Sequence, residues 1–358
     1  MTAAQRVVSL DILRGLTVIG MIVVNAAAGL QRFAIPAPLL HSHWIGLTFA
    51  DLVFPAFIFM VGVSIAISMP QSGLDPATAR RIAIRSLRLI AIGLLLTNIY
   101  WLADYDTNAF RWGGVLQRIG IVFLVAALLH LQCSTRTLIV LCTALLIGYC
   151  GLCFLPVPDG TAIDLHVPGA NFVAWVDRAV FGIHLYVHGP KGYDPEGLLS
   201  TLPAIAQGCL GVVAGRQISQ PAVMKRFAIC GLLLMLVAAP LAAIVPVCKD
   251  LWSASFVLLT SGIVLIALGV LHELADVRGL KLPLAGIAAA FGVNAIAAYV
   301  LHYVTAGVLN WKIMDAMASF GANLLGARVA FVLPLASFLA AIAWAMVALR
   351  KRGWVIRV

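Results

Sequence analysis

The sequence predicts an all-α, polytopic integral membrane protein of about ten transmembrane helices with both termini in the cytoplasm. Three observations carry that reading. Hydrophobic residues make up 62% of the 358 and charged residues only 11%, where a soluble domain carries about a quarter charged. Apolar runs long enough to cross ~30 Å of hydrocarbon recur along the chain, and they are continuous rather than alternating, which selects helices over a barrel. Lys and Arg crowd one set of span ends, fifteen against seven. The larger set includes Arg6, Arg80, Arg81, Arg85, Arg88 and Arg357, and the smaller includes Arg32, Lys249 and Arg328. The richer side is cytoplasmic. The net charge of +10 is therefore mostly a topology signal, and the bilayer, not nucleic acid, is the expected partner.

The spans are placed at 8–28, 47–69, 85–103, 112–130, 137–155, 199–217, 226–246, 252–274, 282–304 and 326–348, within one domain covering 1–358. In the first, Arg6, an apolar stretch and Ala26-Ala27-Ala28 imitate a cleaved signal peptide. Asp11 and Arg14 would lie inside the apolar region, where charge is costly, so the segment reads as an uncleaved span. Asp11 is one turn before Arg14 and pairs with it. Arg14 and Asn25 share a stripe ~16 Å long. The stripe reads equally as a helix-packing feature or as a functional one.

The second span opens with "HSHWIGLTFADLVFP". Thr48 and Asp51 fit a capping box, and Pro55 leaves the Asp51 carbonyl without its helical partner. His41 and His43 precede the cap. A lone interfacial histidine is ordinarily just solvated. Here Trp44, Asp51 and Asn25 keep it company, and a carboxylate can orient an imidazole while an amide donates to a developing oxyanion.

Arg80 and Arg81 precede the third span and Arg85 and Arg88 open it, a cluster that reads as topology anchors or as a phosphate clamp. The fourth carries Gln117 and Arg118 in its first two turns. The fifth ends in Cys150 and Cys153, two of seven cysteines that form neither a disulfide framework nor a zinc pattern, so they read as packing residues. The long loop 156–198 faces outward and holds "NFVAWVDRAVFG", an amphipathic helix suited to the interface. His184 and His188 have a metal-ligand spacing but lack the glutamate and third ligand, so no metal is expected. The ninth span places Asn294 centrally and His302 near its outer end. Together these polar groups imply a wet cavity in the outer half. No internal repeat is evident, which weakens an inverted-repeat transporter.

"SLDILRGLTVIGMIVVN" followed by "HSHWIGLTFADLVFPAFIF" resembles the heparan-α-glucosaminide N-acetyltransferase family, in particular its bacterial branch associated with N-acetylglucosamine utilisation. The likeness continues through "GVLQRIG" (114–120), "YDPEGLLSTLPAI" (193–205), "LGVVAG" (210–215), "KDLWSASFVLLTSG" (249–262) and "GVNAIAAYVLHYV" (292–304). The resemblance implies transfer of acetyl from cytosolic acetyl-CoA to the amine of a glucosamine-type sugar across a bacterial inner membrane, by a protein the family suggests is a homodimer. It implies His41 as the active histidine, with Asn25 and Asp51 as the other catalytic residues. We assign Arg80, Arg81, Arg85, Arg88 and Arg118 to the cofactor, Trp44, Gln117, Asn294 and His302 to the sugar, and Asp11–Arg14 to a structural ion pair. Two mechanisms stay open: His41 as general base, or as an acetylated nucleophile. The rivals are an amino-sugar transporter and an acyltransferase for another envelope glycan.

Overall fold

The computed structural model describes residues 7–30, 35–71, 73–103, 110–309, 312–326 and 329–356. Of the cations counted above, Arg6, Arg32, Arg328 and Arg357 lie outside them. Among the described residues the regular structure is helical, with one isolated bridge between Val187 and Tyr193. The helices are α1 (Val8–Ala28), α2 (Phe49–Ser68), α3 (Pro76–Thr97), α4 (Ile99–Ala103), α5 (Val115–Gln132), α6 (Thr135–Cys153) and α7 (Phe172–Phe181). There follow α8 (Thr201–Gln217), α9 (Val223–Leu241), α10 (Ala254–His272), α11 (Ala285–Val293), α12 (Ala295–Leu309), α13 (Lys312–Leu325) and α14 (Val332–Lys351).

Among the described residues, seven helices are long and apolar enough to cross a membrane: α1, α2, α5, α6, α9, α10 with its π-helical extension to Val277, and α14. An eighth results if α11 and α12, bent by 85°, count as one broken span. Every expected span falls on a helix or helix pair, but two miss the mark for physical reasons. The first turns of α3 hold the arginine cluster, and α8 has 17 residues, ~25 Å at 1.5 Å per residue against ~30 Å of hydrocarbon. No element was expected at 312–325, where the amphipathic α13 forms.

The described residues divide into two compact units. One comprises His43–Gly46 and Ile58–Gly269, the other 7–42, Leu47–Phe57 and 270–356. In the first, small residues let helices meet backbone to backbone, and a Cβ on Gly62 would strike the carbonyl of Gly208. Arg216 of α8 donates to the last carbonyls of α5, to His130 O at 2.6 Å and Cys133 O at 3.0 Å, closing that helix end. The loop carrying α7 folds onto helix ends. Its Leu165, Val173, Ala174 and Tyr193 pack with Trp44, Tyr149, Cys153 and Leu251. The amphipathic segment is thus a helix, capped by the Asn171 side chain at 2.9 Å, with its buried face turned to this core.

In the second unit α1 lies against α11. A Cβ on Gly15 would collide with the carbonyl of Ala288, so the two backbones touch. The N-terminus of α1 has no side-chain cap of its own. Asp276 supplies one from the π-helical turn, accepting from Val8 N at 2.7 Å and Ser9 N at 3.0 Å. Arg14 donates to Gly292 O at 3.1 Å, the carboxyl end of α11, and stands 3.8 Å from Asp11. The pair thus complements a helix terminus.

Candidate active site

The first turn of α2 organises the site. Thr48 Oγ1 accepts the Asp51 N–H at 3.3 Å, and Asp51 Oδ2 accepts the Thr48 N–H at 3.1 Å, the reciprocal pair of a capping box. The same Oδ2 takes the Ser42 N–H at 3.1 Å and the Thr48 hydroxyl at 3.0 Å. Oδ1 is left for His41, whose Nδ1 lies 2.8 Å away. One oxygen of Asp51 caps the helix and the other holds the imidazole.

That arrangement fixes the ring chemistry. Asp51 is fully buried, while the His41 side chain is 41% exposed. Three donors converge on Oδ2, so the carboxyl group is held as an acceptor and Nδ1 carries the proton. In the neutral ring, Nε2 then presents its lone pair. An imidazole anchored at Nδ1 and open at Nε2 can act as a general base or as a nucleophile.

Asn25 belongs to the same unit and lies in the last turn of α1, whose Gly20 lies against Val53 and Phe49 of α2. It is half-buried, and among the described residues its side chain makes no hydrogen bond, to His41 and Asp51 included. Asn294, at the break between α11 and α12, is fully engaged. Its Nδ2 donates to Trp354 O at 3.2 Å and its Oδ1 accepts from Ile356 N at 2.9 Å, strapping the chain end to the break. His302 is buried against Tyr303 and Phe338, with Nδ1 lacking a partner among the described residues.

The remaining candidates lie in the other unit. His43 is exposed. Trp44 donates its indole N–H to Leu165 O at 2.8 Å and packs edge-on against Tyr193 at 5.0 Å. Gln117 Nε2 reaches Thr97 Oγ1 and the carbonyls of Trp112 and Gly113, while Oε1 is unpartnered among the described residues. Arg118 is buried, donating through Nη2 to Ser200 Oγ and Gly197 O, with its plane over Trp252 and with Nε and Nη1 unmatched. Arg80, Arg81, Arg85 and Arg88 are exposed on α3. Arg81 bonds Thr78 Oγ1, and Arg85 lies 4.6 Å over Phe123.

The sequence reading overlooked a second charged cluster. Arg111 grips Asp194 through Nε at 2.8 Å and Nη2 at 2.5 Å, and Glu196 through Nη2 at 2.6 Å. Burial pushes Glu196 up, but Arg111 beside it prevails and holds the carboxyl below its ordinary value. Asp177 of α7 is also buried. Burial, reinforced by the Asp194 charge, raises its carboxyl to about 7 against the Leu198 N–H at 2.9 Å and the weaker pull of the Asp194 backbone and Arg118. The available signal was "DPE" in a turn-rich loop, but its cation stands 83 residues upstream.

Comparison with known proteins places the dyad in a familiar stretch. A family model described as heparan-alpha-glucosaminide N-acetyltransferase, catalytic, matches residues 6–176, which include Asn25, His41 and Asp51. The heparan-alpha-glucosaminide N-acetyltransferase of Mus musculus is 31% identical over 376 aligned residues, covering 88% of this chain and 56% of the mouse protein. That of Homo sapiens is 31% identical over 374, covering 87% and 55%. The chain spans about half the length of these curated relatives. The chain is thus similar to heparan-α-glucosaminide N-acetyltransferases over most of its own length.

Proposed function

We propose that this protein is a transmembrane N-acetyltransferase that moves acetyl from cytosolic acetyl-CoA to the amine of a glucosamine-type sugar on the periplasmic side of a bacterial inner membrane. One observation carries the reading: His41 is anchored through Nδ1 to buried Asp51 at 2.8 Å while its ring stays exposed, within the stretch that the family's catalytic model covers.

The chemistry follows from that geometry. The neutral sugar amine attacks the thioester carbonyl, and its surplus proton passes to His41 Nε2. Asp51 stabilises the resulting imidazolium. The C–S bond breaks, the imidazolium returns the proton to the CoA sulfur, and N-acetyl sugar and CoA leave. In the two-step alternative, Nε2 attacks the thioester carbonyl and the C–S bond breaks to release CoA thiolate; the amine then takes the acetyl group from the ring, and its surplus proton neutralises the thiolate. The Asn25 amide, without another hydrogen bond among the described residues, is our oxyanion donor.

The donor's phosphates cannot cross hydrocarbon cheaply, so we place them at Arg80, Arg81, Arg85 and Arg88. The last three recur at helical spacing on the exposed part of α3. Arg118, with Nε and Nη1 unmatched among the described residues, is kept for the uncharged part of the donor. To the sugar we assign Trp44, Gln117, Asn294 and His302; Gln117 and His302 each have one side-chain atom unmatched among the described residues. In this topology α3 and α8 cross with the others, giving ten spans, and loop 156–198 faces the periplasm.

Purified protein supplied with acetyl-CoA and a panel of amino sugars tests the reading by mass spectrometry. Acetylated amine and free CoA should appear in equal amounts. Labelled sugar accumulating unmodified in proteoliposomes, without any need for acetyl-CoA, would make the protein a transporter instead.

A further inference from the structure

We propose that Thr48 is a positioning residue for the transfer, its hydroxyl holding the His41-bearing segment and the Asp51 carboxylate in register. The proposal rests on the acetyltransfer reading above. A capping threonine needs only to accept one N–H and to have its own N–H taken in return. Thr48 does both, through Asp51 N at 3.3 Å and Asp51 Oδ2 at 3.1 Å. Its hydroxyl does more. It reaches the carbonyl of Leu40 at 2.9 Å and Asp51 Oδ2 at 3.0 Å.

Leu40 directly precedes His41 and has extended backbone. One hydroxyl therefore stands within hydrogen-bond reach of both the chain leading into the imidazole and the carboxylate that orients it. The residue before His41 and the Asp51 carboxylate are both referenced to one oxygen atom, eight residues from the first and three from the second. Without the hydroxyl, Oδ2 keeps the N–H groups of Ser42 and Thr48, so the carboxylate stays solvated by the chain. The Leu40 carbonyl loses its side-chain donor, and the segment carrying His41 is then tied to α2 by the Ser42 N–H and the imidazole alone. Helix α2 persists while Nε2 drifts. A misplacement of about 1 Å costs on the order of 10²-fold in rate.

The test uses the full chain in detergent with acetyl-CoA and glucosamine. Thr48→Val matches the side chain's shape without its hydroxyl. It should lower kcat by ~10–100-fold and leave the KM for acetyl-CoA within about twofold, because no ligand contact is removed. Thr48→Ser restores the hydroxyl and should recover to within about threefold of wild type. Thr48→Asn supplies a cap oxygen as good as threonine's without the hydroxyl. It should be as slow as the valine variant, and it decides the matter if the valine variant does not fold. Because Thr48 acts through the dyad, Thr48→Val should cost little more once Asp51→Asn is present.

The tautomer of His41, read from ¹⁵N shifts of labelled imidazole while the ring is neutral, needs no turnover. Wild type and Thr48→Ser should hold the proton on Nδ1, whereas Thr48→Val should populate both tautomers. Wild-type kcat in Thr48→Asn, a serine variant as slow as valine, full additivity with Asp51→Asn, or an unchanged tautomer in Thr48→Val overturns the proposal. Wild-type protein that transfers no acetyl overturns the acetyltransfer reading instead, and the tautomer comparison still judges Thr48.

Discussion

Two buried acidic groupings, one in each unit, use carboxylates in opposite ways. In the first, Asp51 faces His41 at 2.8 Å, and the imidazole is 41% exposed with only one of its nitrogens held. In the second, Asp194 and Glu196 both bond Arg111, whose side chain is only 17% exposed, and nearby Asp177 carries the raised carboxyl. The second cluster gathers more charged groups and holds a raised carboxyl beside them. Those features accompany catalytic sites, but structural ion networks share them. What separates the two is asymmetry of partnering: the dyad leaves a reactive lone pair open, while the cluster's carboxylates are engaged by protein donors. A site is better recognised by what its groups leave unmatched than by how much charge they gather.

The widest separation between the two should come from removing the open group. His41→Ala should abolish measurable acetyl transfer, a loss of at least ~10²–10⁴-fold if the ring is a general base. Thermal midpoint in detergent and acetyl-CoA binding should stay near wild type. Turnover close to normal would erase the distinction drawn here. The matching change in the closed cluster, Arg111→Ala, should act on stability. It strands two buried carboxylates, at about 3–5 kcal/mol for breaking a buried pair. The melting temperature should therefore fall sharply, while kcat per folded molecule stays within a few-fold. A large kcat loss in fully folded Arg111→Ala protein would move this cluster into the machinery.

Asp177 sharpens the contrast through pH. Its carboxyl sits at about 7 in the folded protein against ~3.9 in an unfolded chain. The native state therefore holds a proton that the unfolded state has released. The stability linked to that proton is complete below about pH 4, declines as pH rises, and is lost above about 7, an upper bound of about 4 kcal/mol. Asp177→Asn keeps an oxygen for the Leu198 N–H and cannot ionise. Its melting temperature should be flatter between pH 5 and 8 than wild type's, with the gain largest at the alkaline end. Parallel curves would show that Asp177 does not hold the proton.

How legible each region was follows from sequence distance. The cap at Thr48 and Asp51, and the placement of α1 and α2 to within about two residues, came from local signals: a capping box, apolar runs and the cost of charge in lipid. His41 and Asp51 stand ten residues apart, so one loop brings them together. The break at Asn294 was invisible because what satisfies it, Trp354 and Ile356, lies some sixty residues away. Trp44 was read as a ligand contact, yet its indole partner Leu165 is 121 residues on. The Arg111 cluster failed for the same reason. Local chemistry could be read, whereas partners chosen by the tertiary fold could not.

The smallest expected effect is the finest test of the asymmetry argument. His43 stands two residues from His41, is also exposed, and is the same residue type. If reactivity followed exposure and residue type, the two would be interchangeable. They differ in their partners: His41 has Asp51 behind Nδ1, whereas His43 makes no hydrogen bond among the described residues. A solvated imidazole samples both tautomers and many orientations, so it offers a reacting group no preset geometry. His43→Ala should therefore change kcat by less than about threefold, at most altering KM for the sugar through a surface contact. Steady-state kinetics on His43→Ala beside His41→Ala, in one preparation series, decides it. A dead His43→Ala with an active His41→Ala would mean that the anchored imidazole is a structural brace and that the unanchored one does the chemistry.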